Sequence, residues 1–193
     1  MEHQVTENTV RQFIAEISDQ RHAMAGAVIA ASAAQATALG KACLQITLEH
    51  QRDILKSDDI TTHIEQLVSI KNSLVDWCDR DATAIAEYVA LRDAGDELRG
   101  QQLLCDAPAK VSHLSIKAAN ILQDFRLLVF ERVKDDLEMS ITLLTGTAQA
   151  AMLLLDSNLR IWPEPALLDK YEPIRANLET EIRYLTPVAR LRS

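Results

Sequence analysis

No proline occurs between Met1 and Ala107, and only five glycines are spread over all 193 residues. A β-rich fold needs a turn roughly every 8–12 residues, and such turns draw on Gly, Pro, Asn and Asp. Apolar residues recur instead at helical spacing along almost the whole chain. The expected fold is therefore all-α, an antiparallel bundle of about six helices forming one domain over residues 1–193.

The pattern places the helices in order. TVRQFIAEIS reads as a first short helix, with Thr9 as its cap and Val10, Phe13, Ile14 and Ile17 on one face. A second, Ala-rich helix runs from about Ala25 to His50. A third follows KSDD, with Ser57 or Asp58 as its cap, and continues without Gly or Pro to Asp93. Gly95 and Gly100 read as a break, and Pro108 as the first turn of a fourth helix. The fifth covers VKDDLEMSITLLTGTAQAAMLLLDSNLRIW, PEP stops it, and a sixth runs from about Ala166 to Tyr184. A thirty-residue helix is about 45 Å long. That exceeds what one small globule needs, so a homodimer is expected.

Charge and composition exclude several functions. The formal net charge is −8, which disfavours nucleic acid, whose phosphates call for Lys and Arg. The stretch HAMAGAVIAASAAQATALGKACL is long enough for a membrane span, but Ser32, Gln35, Thr37 and Lys41 dilute it and no aromatic belt flanks it. Its small residues instead suit a central helix closely crossed by its neighbours. MEHQVTENTVRQF lacks the basic and apolar regions of a secretory signal. With three widely spaced cysteines (Cys43, Cys78, Cys105), it points to a cytoplasmic chain with reduced, buried thiols. No His/Cys/Glu spacing suits a metal, and no phosphate loop is present, so neither metal nor cofactor is expected. His22 and His50, at the ends of the Ala-rich helix, and His113 read as surface or core-edge residues.

Taken together, the segments resemble the cyclodeaminase/cyclohydrolase family of one-carbon folate metabolism. That family includes stand-alone methenyltetrahydrofolate cyclohydrolases and the deaminase half of formiminotransferase-cyclodeaminase. VRQFIAEISDQ is similar to the family's opening helix. MAGAV (Met24 to Val28) stands where the family has a Pro-Gly-Gly-Gly-Ser loop, and Ile46-Thr47 where its Ala-rich helix ends in Leu-Thr. DRDATAIAEYVA resembles its DAxAF segment at Asp81-Ala82. KDDLEMSITLLTGTAQAAMLLLDSNL is similar to a stretch running from Ser-Asp to an asparagine, matched here by Asp136 and Asn158.

The resemblance implies a folate or related pterin as substrate, with no cofactor beyond it. In 5,10-methenyltetrahydrofolate a cationic amidinium carbon bridges two nitrogens. Water adds there, a proton moves, and one C–N bond breaks to give the 10-formyl form. A nearby carboxylate stabilises the cation and handles the proton. The resemblance makes Asp136 the first candidate for that carboxylate and Asp81 the second. Met24, Gly26, Ala27, Thr47, Asp135 and Asn158 are the expected substrate contacts.

Three departures stand beside these matches. Of the family's three consecutive glycines only Gly26 remains, so the former loop is expected to change shape and to continue as helix. LEHQRD (Leu48 to Asp53) replaces a lysine-rich segment suited to a folate glutamate tail. Asp135 replaces the serine before Asp136. Two functions follow from the sequence: a cyclohydrolase-like enzyme, or a non-catalytic dimeric scaffold that has lost the folate site and binds another ligand or a protein.

Overall fold

The computed structural model describes residues 4–19, 24–50 and 57–191, with side chains in the third segment from Ile60 onward. Among the described residues every regular element is helical. They are α1 (Val10–Asp19), α2 (Ala25–His50), α3 (Ser57–Asp93), α4 (Glu97–Phe125), α5 (Lys134–Ile161) and α6 (Pro165–Arg183), with single 3₁₀ turns at Val5–Glu7 and Glu131–Val133. The all-α bundle expected from the sequence is the one observed. His22 and the segment Gln51–Asp53 lie outside the described residues, as do the side chains of Ser57 and Asp58.

Helix α1 starts in a reciprocal cap. The Gln12 N–H donates to Thr9 Oγ1 at 3.3 Å, and the Thr9 N–H donates to Gln12 Oε1 at 2.9 Å. Its apolar face is only half used. Phe13 and Ile17 pack on the core, whereas Val10 and Ile14 are exposed, because this short helix touches the bundle along one edge.

Helix α2 is the centre of the molecule and packs against α3, α4 and α5. Small residues bring its backbone close to them. A methyl group on Gly40 would stand 2.4 Å from Leu122 Cδ1 of α4 and 2.8 Å from Ser140 Oγ of α5. Ser140 Oγ itself donates to Ala36 O at 2.7 Å. By length and composition α2 and the segment Glu131–Ile161 could each cross a membrane, but half of each apolar window is buried inside the bundle.

Two expectations around α4 are corrected. Gly95 does end α3: its φ is +83°, its N–H donates to Arg92 O, and the Asp96 N–H donates to Leu91 O. This is the paired closure of a glycine-terminated helix. Gly100, however, breaks nothing. It lies inside α4, where an added methyl would come within 3.3 Å of the Tyr88 backbone, so it marks the close crossing of α3 and α4. Pro108 is likewise not in a first turn, since α4 begins at Glu97.

A proline inside a helix leaves the carbonyl four residues back without its N–H partner. Here that carbonyl is Leu104 O, and the side chain of Asn158 on α5 donates to it at 2.8 Å. Asn158 thus supplies across the helix interface the bond that Pro108 withholds. Asn158→Ala is expected to cost about 1–3 kcal/mol, the usual range for orphaning a buried acceptor. In a Pro108→Ala background the residue-108 N–H can take over, and the cost of Asn158→Ala should shrink to a fraction. A double-mutant cycle by urea denaturation measures the difference. Equal costs in both backgrounds would show that Asn158 does not serve the proline.

Candidate functional site

The former glycine-loop segment is helical, as expected. Met24 is buried, its carbonyl accepts the Val28 N–H at 3.0 Å, and Gly26 and Ala27 form the first turn of α2. The first turn of α2 carries no acid of its own. One arrives from α3 instead: Asp81 Oδ2 accepts the Ala27 N–H at 2.7 Å. A helix start leaves several N–H groups unpaired and carries partial positive charge, so a carboxylate there is doubly favoured. Gly26 makes the approach possible. A methyl group at that position would stand 2.0 Å from Asp81 Oδ1 and 2.3 Å from Cγ.

Around this corner α2, α3, α4 and α5 frame a narrow crevice. Gly26, Trp77, Asp81, Pro108, Ala151 and Leu154 line it, and it leaves no space for a water molecule. Small-molecule sites run to roughly 300–1,000 Å³. The crevice is therefore smaller than a pterin needs.

The other expected residues stand elsewhere. Thr47 is fully buried near the end of α2, where its hydroxyl donates to Cys43 O at 2.8 Å and accepts the Phe130 N–H at 3.0 Å. It anchors the connection between α4 and α5. His50 flanks it, stacked on the Phe130 ring with centroids 4.6 Å apart. Asp135 and Asp136 are exposed in the first turn of α5. The Asp136 charge is close enough to Cys43 to add to the burial that pushes this thiol up to about 11. Gly26 and Cys43 are 17 residues apart on one helix, or about 26 Å.

The single chain thus holds two poles: Met24, Gly26, Ala27 and Asp81 at one end of α2, and Thr47, Asp135 and Asp136 at the other. Asn158 belongs to neither, being engaged at Leu104. The two candidate carboxylates do not meet in one cleft of one protomer. His113 is exposed on α4. Among the described residues no group of three or more His, Cys, Asp or Glu is arranged to hold a metal.

Sequence reasoning did not find Trp77 and Pro108 as walls of the crevice, Gly40 as a close helix contact, or the ion pair between Arg126 and the buried Glu138. Pro108 carried a usable signal, since a proline deep in a helical pattern demands an outside donor. The ion pair carried none, because nothing in the local pattern marks Glu138 as buried.

An antiparallel helical bundle, built on a small-residue helix whose start is capped by a carboxylate from its neighbour, defines the class of domain. The chain belongs to the formiminotransferase-cyclodeaminase family, whose model matches residues 9–173. Among solved structures it is similar to formiminotetrahydrofolate cyclodeaminase from Thermotoga maritima, with a TM-score of 0.81 and 15% identity over 93% of this chain and 92% of that one. At that identity the likeness shows the fold. No curated protein matches the chain.

Proposed function

We propose that the chain processes a one-carbon derivative of tetrahydrofolate, with hydrolysis of 5,10-methenyltetrahydrofolate to the 10-formyl form as its reaction. Family membership supports the substrate class. The observation that carries the choice of site is the Asp81 carboxylate seated beside Gly26 at the start of α2, where the family has its glycine loop. Water adds to the amidinium carbon, a carboxylate takes one of its protons, and a proton returns to nitrogen as the C–N bond breaks. Asp81 is assigned that proton work at this pole, which requires the crevice beside Gly26 to widen for the substrate. Asp136, suggested by the resemblance, serves only if the substrate binds at the opposite pole.

The assay is loss of methenyltetrahydrofolate absorbance, corrected for spontaneous hydrolysis. Asp81→Asn keeps an oxygen to accept the Ala27 N–H but removes the base. It is expected to lower turnover by roughly 10²–10⁴-fold, the span of general acid–base catalysis. Asp136→Asn, run beside it, shows which pole carries the reaction.

A second function is favoured by a specific observation: the crevice at Gly26 is apolar and too narrow for a water molecule. On this second reading the chain retains the family fold without its chemistry. Folded wild-type protein that neither turns over methenyltetrahydrofolate nor binds folate would establish it and end the enzymatic proposal.

A further inference from the structure

A groove of about 460 Å³ lies between α4 and α6, within the roughly 300–1,000 Å³ of small-molecule sites. It is separate from the glycine corner, although the same turns of α4 serve both. Ala107, Pro108 and Val111 line the crevice, whereas Asp106, Ala109, Lys110 and His113 line the groove. At about 3.6 residues per turn these two sets lie on opposite sides of the helix. The floor of the groove is apolar. It is made by Ala109 and by Tyr171, Ile174 and Leu178 of α6, and Ile174 is left 37% exposed.

The charge at the mouth has one sign. Among the described residues that line the groove, Asp106 is the only acid, and it is already engaged. Its Oδ1 accepts the Lys170 ammonium at 3.1 Å and the Tyr171 hydroxyl at 2.6 Å. Lys110 and His113, one turn apart on the α4 rim, have no hydrogen-bond or ion-pair partner among the described residues.

The wider surface of α4 has the same character. The chain carries 28 Asp and Glu against 20 Lys and Arg, yet no acid occurs from Ala107 to Gln123. Every exposed position from Ala107 to Leu122 is Lys110, His113, Lys117 or Asn120. Unpaired bases above an apolar floor match a ligand with an anionic head and an apolar body. One ammonium and one imidazole suit a singly charged carboxylate. A phosphate would call for an arginine fork or a helix start, and neither lines the groove.

We propose that the groove between α4 and α6 is a second ligand site, which takes a small amphipathic monocarboxylate. Its apolar body lies on Ala109, Ile174 and Leu178, and its carboxylate is held by Lys110 and His113. The inference rests on the α4–α6 surface and not on the folate reaction, so turnover assays and binding measurements at the groove fail independently.

The test is titration of the full chain with decanoate, kept below its micelle-forming range. Calorimetry gives the dissociation constant and amide chemical shifts give the place. Saturable binding is expected, with the shifts gathered at Ala109–His113 and Ile174–Leu178. Lys110→Gln with His113→Gln is expected to weaken binding by at least about tenfold, the loss of one charge-assisted hydrogen bond. Ile174→Glu sets a like charge on the floor and should weaken it at least as much. All three positions are exposed, so both variants should keep a cooperative melt. Decanol, with the same body and no charge, should bind at least about tenfold more weakly than decanoate. Absence of saturable binding at millimolar decanoate overturns the proposal, as do shifts that fall outside the groove. Decanol binding as tightly as decanoate, or a Lys110/His113 variant with wild-type affinity, overturns the carboxylate assignment.

Discussion

Taking the chain from neutral pH to pH 10 is expected to cost roughly 4 kcal/mol of unfolding free energy through its three thiols, at about 1.4 kcal/mol per pH unit each. Cys43, Cys78 and Cys105 are free and essentially inaccessible. Burial is the main cause that pushes them from an ordinary 9.0 up to about 11, 12 and 11. Neighbouring carboxylates add to it: Asp136 at Cys43, Asp79 and Asp81 at Cys78, Asp106 at Cys105.

The sign follows from proton binding. Above pH 9 the unfolded chain gives up thiol protons that the folded chain retains, so stability falls as pH rises. The contribution is complete below pH 9 and is lost progressively up to about pH 11–12. Tyr171 acts in the same direction at still higher pH, since burial and the hydrogen bond to Asp106 raise its hydroxyl as well. Urea denaturation at pH 7, 9 and 10 measures the slope. Each Cys→Ala variant should flatten it by about a third, and an unchanged slope would mean the thiols ionise alike in both states.

Arg126→Met is expected to cost about 3 kcal/mol, the lower end of the range for breaking a buried ion pair by removing one partner. The Glu138 carboxylate is only 6% exposed and takes both arms of the Arg126 guanidinium, at 2.5 and 2.9 Å. The same guanidinium donates to Thr186 O at 2.9 Å, which ties the segment after α6 to the α4–α5 connection. Methionine keeps most of the apolar stem, so the loss isolates the charge. What remains is a buried carboxylate without its cation. Adding Glu138→Leu removes that carboxylate and should recover much of the loss. A single variant within 1 kcal/mol of wild type would show that water already satisfies Glu138.

How far the sequence foretold these features depended on the range of the interactions behind them. The boundaries of α2 could be read directly, because Ala, Leu and Ile at helical spacing act through neighbours three and four residues away. The helical state of MAGAV could be read as well, since alanines at former glycine positions disfavour a loop with positive φ. Asp81 and Gly26 were both singled out, yet their contact was not, because 54 residues separate Asp81 from Ala27. The misplacement of Pro108 had the same origin. Its tolerance inside α4 depends on Asn158, a donor fifty residues further along.

By itself, then, the sequence determined an all-α chain, the order of its long helices, the small-residue character of α2, and the family to which it belongs. The helical properties follow from local periodicity and composition, and the family from the resemblance of its motifs. Only the tertiary structure decided that α2 borrows its cap from α3, and that the glycine corner closes to a narrow crevice. It alone set Asp81 and Asp136 at opposite ends of one helix and left a groove between α4 and α6. Each of these depends on which helix lies beside which, and on distances that become defined only when the backbones pack.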